Sequence, residues 1–186
     1  MIKEELFDIL LSDKPSELIR LKENEMFELI PELGKCKGCE QNTKWHKYDV
    51  YVHILHVVDN VDKDIVLRLA ALFHDIGKPL TKYTDEEGVD HFPRHWEKSR
   101  DIFIEFAREH HIDTKTAVDV SNLIYYHDVD FNKDDNLIID TVDKVGIDNL
   151  TRLFNLKKAD VLAQADQYHY MASEFEKEEK KYKRTM

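Results

Sequence analysis

A chain of 186 residues, 42% hydrophobic and 35% charged, is long enough to bury a core in one domain and too apolar to stay disordered. Its formal net charge of −11, with no clustered stripe of Lys and Arg, argues against strong nucleic-acid binding, which depends on neutralising phosphates. No apolar run approaches a membrane span and the acidic N-terminus is unlike a signal peptide, so a cytoplasmic location without a membrane partner is expected.

Five glycines and four prolines are little punctuation for a chain of many short strands, and the expected fold class is all-α. A first helix is expected over 2–11, and a second that Asp13 caps, with Pro15 in its first turn, running to Ile30. Residues 32–46 read as a loop. It holds the C-x-x-C of Cys36 and Cys39, half of a tetrahedral zinc site at most and read here as two reduced thiols in a turn beside Gly38. Helices follow at 48–61 and 64–75. The β-branched and aromatic residues around Asp85-Glu-Glu-Gly88 predict a small hairpin within 80–92. Further helices are expected at 94–110, 114–127, 137–145 and 149–182, the last ending in a charged tail from Glu174.

Placed at about 100° per residue, several of these helices turn a metal-type side chain toward their apolar face. The helix 64–75 is apolar on nearly every side, hence buried, and it ends in His74-Asp75. Gly77 and Pro79 then break the helix and free the pair to face a cavity. His53 lies at the edge of the apolar stripe of 48–61, with His56 rotated further off. His95 begins a ridge with Ser99, Ile102 and Phe106. His127 lies on the stripe of Val120 and Ile124, and Asp160 falls among Leu150, Leu153 and Leu156. A lone histidine of this kind is more often a hydrogen-bonded core residue. Imidazoles and carboxylates arriving from several helices together are the ligand set of zinc, iron, manganese and nickel. Periodicity leaves open whether they converge.

At these residues the chain resembles the HD superfamily of metal-dependent phosphohydrolases. The order His53, His74-Asp75, Asp160 matches its H…HD…D signature. The local words Cys39-Glu-Gln-Asn42, Tyr48-Asp-Val50, His74-Asp-Ile-Gly-Lys-Pro79, Phe92-x-x-His95 with Ser99, and Lys158-Ala-Asp160 with Ala163-Gln164 look like the HD domain of bacterial CCA-adding tRNA nucleotidyltransferases. The likeness runs from about residue 30 to 168. It implies an HD-type helical bundle occupying 1–186 as a single domain, and hydrolysis of small nucleotides or phosphoesters, 2′,3′-cyclic nucleotides among them.

The resemblance assigns His53, His74, Asp75 and Asp160 to one divalent metal ion. It makes Asp75 a bridge to a second ion, completed by His95 and His127. Fe, Mn, Ni, Co, Zn and Mg are not distinguishable from this ligand set. Asp75 and Lys78 are the expected catalytic residues, and Lys78 and Arg94 the expected contacts for a substrate phosphate. The 186 residues hold no nucleotidyltransferase head. Asp128-Val-Asp130 has the letters of a D-x-D but follows a helix, so no addition of nucleotides to tRNA is expected. Two other classes stay open: a regulatory module that binds a nucleotide without turnover, and a di-iron oxygenase of HD type.

Overall fold

The computed structural model describes residues 1–130 and 141–185, and among these the fold is helical with one two-stranded sheet. The first helix, α1 (Lys3–Leu10), buries Leu6, Ile9 and Leu10. The helix expected over 15–30 is instead two, α2 (Pro15–Leu21) and α3 (Glu23–Leu29), with Lys22 between them at φ −109° and ψ 32°. Backbone bonds still run through the bend, from Lys22 N–H to Leu18 O and from Met26 N–H to Lys22 O, and neither Gly nor Pro marks it. Asp13 does not cap this segment. Its carboxylate meets Lys63 Nζ at 3.0 Å, while Lys14 takes the cap position with no side-chain bond.

The expected loop 32–46 begins as a helix, α4 (Pro31–Cys36). Pro31 ends one helix and opens the next, because a residue at the first helical position has no N–H bond to lose. Two aspartates then start the central pair. Asp49 accepts the Val52 N–H at the head of α5 (Val50–Asn60), and Asp64 accepts that of Leu67 at the head of α6 (Ile65–Phe73). Every residue of α6 from Val66 to Phe73 is buried, and the helix packs against α1, α5 and three later helices. Burying side chains such as Leu69, Leu72 and Phe73 contributes on the order of 2 kcal/mol each.

A short α7 (Lys78–Thr81) leads into the hairpin of β1 (Tyr83–Thr84) and β2 (Asp90–His91), which pair antiparallel with Tyr83 opposite His91. Asp90 fastens this hairpin. Its carboxylate accepts the Asn42 N–H at 2.7 Å and the Thr84 hydroxyl at 2.7 Å, and lies 2.8 Å from Lys82 Nζ. Burial opposes ionisation of Asp90, yet these partners hold its pKa down to about 2. A depressed carboxylate pKa stabilises the fold above the unfolded value and loses that contribution as pH falls through the folded one. Acid is therefore expected to loosen the hairpin from the Asn42 loop between about pH 4 and pH 2. Amide exchange at Asn42 and Asp90 that stays unchanged across this window would contradict it.

The remaining described elements are α8 (His95–Glu109), α9 (Thr114–Tyr126), capped by Asp113, α10 (Ile147–Leu162) and α11 (Met171–Thr185). Of the helix expected at 137–145, residues 141–145 are helical and 137–140 lie outside the described residues. The helix expected to run unbroken over 149–182 ends at Leu162 and restarts at Met171, with a 3₁₀ turn at Asp166–Tyr168 between. The interruption is tertiary in origin. The Ala165 N–H bonds to Trp45 O at 2.8 Å, Lys47 pairs with Asp166, and Tyr168 packs on the Trp45 indole. Helix α6 packs against α1, α5, α8, α9 and α10. Among the described residues, no helix is long and apolar enough to cross a membrane.

Candidate metal centre

His74 and Asp75 stand just past the end of α6, in the turn that Gly77 completes. Gly77 is there for closeness. A Cβ at this position would come within 2.6 Å of the Ser99 backbone nitrogen and 2.7 Å of the His95 carbonyl, and the Gly77 N–H bonds the Ser99 hydroxyl at 2.9 Å. The turn carrying Asp75 is thereby locked to the first turn of α8, which carries His95. Gly77→Ala has to push the two apart, and overpacking of this kind costs about 1–3 kcal/mol. The expected result is a lower melting temperature together with weaker metal retention; a variant that keeps both would show that the contact relaxes freely.

Four histidines face Asp75 from different elements, and all four are wholly or almost wholly buried. Three use the same local device. Nδ1 of His74, His95 and His127 lies 2.8, 2.9 and 2.7 Å from the carbonyl three residues earlier, that of Ala71, Phe92 and Ile124 respectively. His53 Nδ1 faces Ala163 O at 3.4 Å. A carbonyl only accepts, so Nδ1 carries the proton and the lone pair of the neutral ring is on Nε2. The four Nε2 atoms point inward. On one side of Asp75, His53 Nε2 lies 3.3 Å and His74 Nε2 3.4 Å from Oδ2, with Asp160 Oδ1 2.9 Å from His53 Nε2 and 3.8 Å from His74 Nε2. On the other side, His95 Nε2 is 3.2 Å and His127 Nε2 3.7 Å from Oδ1.

These contacts fit a cation and little else. Nε2 of His53 meets Nε2 of His74 at 3.4 Å, and Nε2 of His95 meets Nε2 of His127 at 3.4 Å. Lone pairs facing each other and a carboxylate repel unless positive charge lies between them. Asp75 Oδ1 is buried and makes no hydrogen bond, an arrangement costly to a polar atom that finds no partner. Two donors each about 2.1 Å from a shared ion stand about 3.0 Å apart at octahedral angles and about 3.4 Å apart at tetrahedral ones. Most of the observed separations, 2.9 to 3.4 Å, match that range, and His127 to Asp75 at 3.7 Å and His74 to Asp160 at 3.8 Å are longer. Two donor groups result, His53, His74, Asp75 and Asp160 in one and Asp75, His95 and His127 in the other, each with its ligand atoms within 4.8 Å of one another.

The electrostatics differ from ring to ring. Burial pushes His74 below the usual histidine range, beyond what Asp75 restores, so its ring is held neutral as a ligand must be. Burial also acts on His127, but Asp75, aided by Asp128 and Asp160, outweighs it and raises that pKa. Burial disfavours ionised Asp75, yet Lys78, His74 and His127 keep its pKa well below the carboxylate range. Asp160 is held ionised mainly by His53 against the same penalty.

Of the two expected phosphate contacts, Lys78 belongs to the centre. It is buried, with Nζ 2.7 Å from Asp75 Oδ2, 2.8 Å from Gln41 Oε1 and 3.3 Å from His46 Nε2. With its donors so placed, Lys78 holds and neutralises Asp75. Arg94 stands apart. Its backbone is left-handed at φ 55°, and its exposed guanidinium reaches Glu97 at 2.5 Å, away from the cavity lining. His56 is exposed and stacks on Tyr48.

The donor groups form the floor of a cavity of about 620 Å³. Trp45, Phe92 and Phe175 give it flat apolar walls. Lys157 also lines it, and the sequence reading passed over this residue although the spacing Leu150, Leu153, Lys157 places it on the apolar stripe of α10. The two thiols take no part in either donor group. Cys36 is buried with Sγ toward the Glu32 carbonyl, its pKa raised by burial, and both cysteines are free.

A helical core whose H…HD…D side chains converge beside a cavity defines a helical scaffold able to hold a divalent metal. The chain belongs to the HD-domain family, which its residues 46–171 match. It is 37% identical over 93 residues to the CC-adding tRNA nucleotidyltransferase of Thermus thermophilus, a stretch covering 46% of this chain and 21% of that protein. It is 35% identical over 98 residues to the multifunctional CCA protein of Ralstonia nicotianae and 34% identical over 98 residues to that of Cupriavidus necator. Each match covers 50% of this chain, and 21% and 22% of the respective relative. The chain thus spans about a fifth of the length of the curated relatives it matches.

Proposed function

We propose that this chain is a metal-dependent phosphohydrolase of small nucleotides or related phosphoesters, folded as a single HD-type domain over 1–186. One observation carries the reading. A buried Asp75 carboxylate lies between two pairs of inward-facing imidazole Nε2 atoms at the floor of a cavity large enough for a nucleotide. His53, His74, Asp75 and Asp160, with His95 and His127, would hold divalent metal there, which would supply hydroxide from water near neutral pH and polarise phosphoryl oxygens. The chain's own part is positioning. Backbone carbonyls fix the tautomer and the aim of the imidazoles. Lys78 keeps Asp75 ionised and in place through a 2.7 Å contact.

The cavity supports a small substrate. Its described lining carries five aspartates, residues 75, 90, 128, 130 and 160, against three lysines, residues 44, 78 and 157. One or two bound divalent ions would cancel or reverse that excess of two carboxylates, so attraction for a phosphoryl group is centred on the ions, while Trp45, Phe92 and Phe175 line the cavity where a base can stack. With a net charge of −11, a long RNA has little to hold it. The names of the relatives point to tRNA, but with so small a share of those proteins matched, what carries over is the chemistry of the HD portion.

The test is a hydrolysis screen of the metal-loaded protein over 2′,3′-cyclic nucleotides, mononucleotides, nucleoside triphosphates and tRNA. Turnover is expected for the monophosphoesters, cyclic ones first, with weak binding of tRNA and no CCA addition from CTP and ATP. Tight nucleotide binding without release of phosphate or opened ester would favour a regulatory module. Oxygen uptake by an iron-loaded protein would favour the di-iron class.

A further inference from the structure

A helix leaves its last carbonyls without partners inside the helix, and each must be satisfied elsewhere. Around the end of α9 four carbonyls can be followed. Ile124 O takes the Nδ1 proton of His127 at 2.7 Å, and Tyr126 O takes the Val129 N–H at 3.2 Å. The carbonyls of His127 itself and of Val129 are met from another helix, by Lys157 Nζ at 2.7 and 2.6 Å.

Lys157 is 6% exposed. A buried ammonium is costly unless its hydrogen bonds are supplied, and here it gains the negative end of the α9 dipole as well. Phe175 of α11 covers it, with the ring centre 5.3 Å from Nζ. Asp160, in the first donor group, lies three residues further along α10, about one turn away.

We infer that Lys157 is the positioning residue for the Asp75–His95–His127 donor group: it clamps the His127 backbone so that Nε2 faces Asp75 Oδ1. The inference rests on the reading that both donor groups take metal. Helix α10 then sets one ligand of the first group directly, through Asp160, and one of the second at a distance, through Lys157. No substrate contact is required of this lysine. It acts by fixing the main-chain segment just past α9, meeting one buried carbonyl at His127 and one partly buried carbonyl at Val129.

A lysine that only caps a helix would affect melting and leave metal stoichiometry alone, so the two roles separate. The wild type, Lys157→Met and Lys157→Gln are each titrated with Mn²⁺ after metal removal, with free Mn²⁺ followed by electron paramagnetic resonance and melting recorded alongside. Wild type should take two equivalents. In Lys157→Met the first should be held within about twofold, and the second weakened by about 10–100-fold, as for other residues that orient a ligand. Lys157→Gln keeps a donor and should fall between. A lowered melting temperature with both equivalents intact overturns the assignment, as does equal loss of both in the two variants. A wild type that binds one equivalent refutes the two-ion reading instead, and this is known before any variant is compared.

Discussion

Asp75→Asn is expected to empty both donor groups of metal and to lower phosphoester hydrolysis by about three orders of magnitude or more. The scale follows from what bound metal supplies, since moving the pKa of water from about 15.7 toward 7 is the source of the nucleophile. Asp75 is the one residue shared by the two groups, with Oδ2 facing His53 and His74 and Oδ1 facing His95 and His127. Asparagine preserves the volume and leaves a carbonyl for Lys78, so the buried ammonium keeps its Gln41 and His46 contacts and gains a neutral third partner. Alanine would remove the acceptor and the volume as well as the charge, and breaking a buried pair in that way typically destabilises by about 3–5 kcal/mol, which confuses loss of metal with loss of fold. Metal content by mass spectrometry and initial rates, taken on folded Asp75→Asn, decide the matter. Near-wild-type turnover would end the HD-site reading.

The second large effect belongs to the pair His95 and His127. Their Nε2 atoms meet at 3.4 Å and no other described histidine faces Asp75 Oδ1. Replacing both by glutamine should halve the metal content and lower the rate by about a hundredfold, the scale on which a single electrostatic stabiliser of a transition state acts. One equivalent of metal retained with an unchanged rate would mean that hydrolysis needs only the His53, His74, Asp75 and Asp160 group, with the other two histidines lining the cavity. Glutamine is chosen because its size limits the cavity left in a buried site and its amide can still use a neighbouring carbonyl.

Helical phasing separated His53 from His56 correctly in direction: one is wholly buried beside Asp75 and the other exposed. The all-α class and the hairpin were legible for a similar reason, since apolar period and turn residues are local signals. What the sequence left open was convergence. Nothing in the spacing of His95 and His127 says that their rings meet, because that depends on the packing of α8 and α9 against α6. The same distinction explains the misplaced helix ends. The bend at Lys22 and the break after Leu162 carry no Gly or Pro, and the second is imposed by contacts with Trp45 and Lys47, more than a hundred residues away. The burial of Lys78 was not legible, since it depends on Gln41 and His46 in a different segment. Arg94 is adjacent to His95 in sequence, but its side chain pairs with Glu97.

The most direct test of the account pairs metal content with activity. The protein is purified without chelator, its bound metals are quantified, and hydrolysis of a 2′,3′-cyclic nucleotide is followed before chelation, after it, and after a divalent transition metal is restored. The account predicts one to two equivalents of metal per chain, activity that disappears with the metal, and recovery in proportion to the metal returned. Hydrolysis that continues at the original rate in metal-free protein would contradict it.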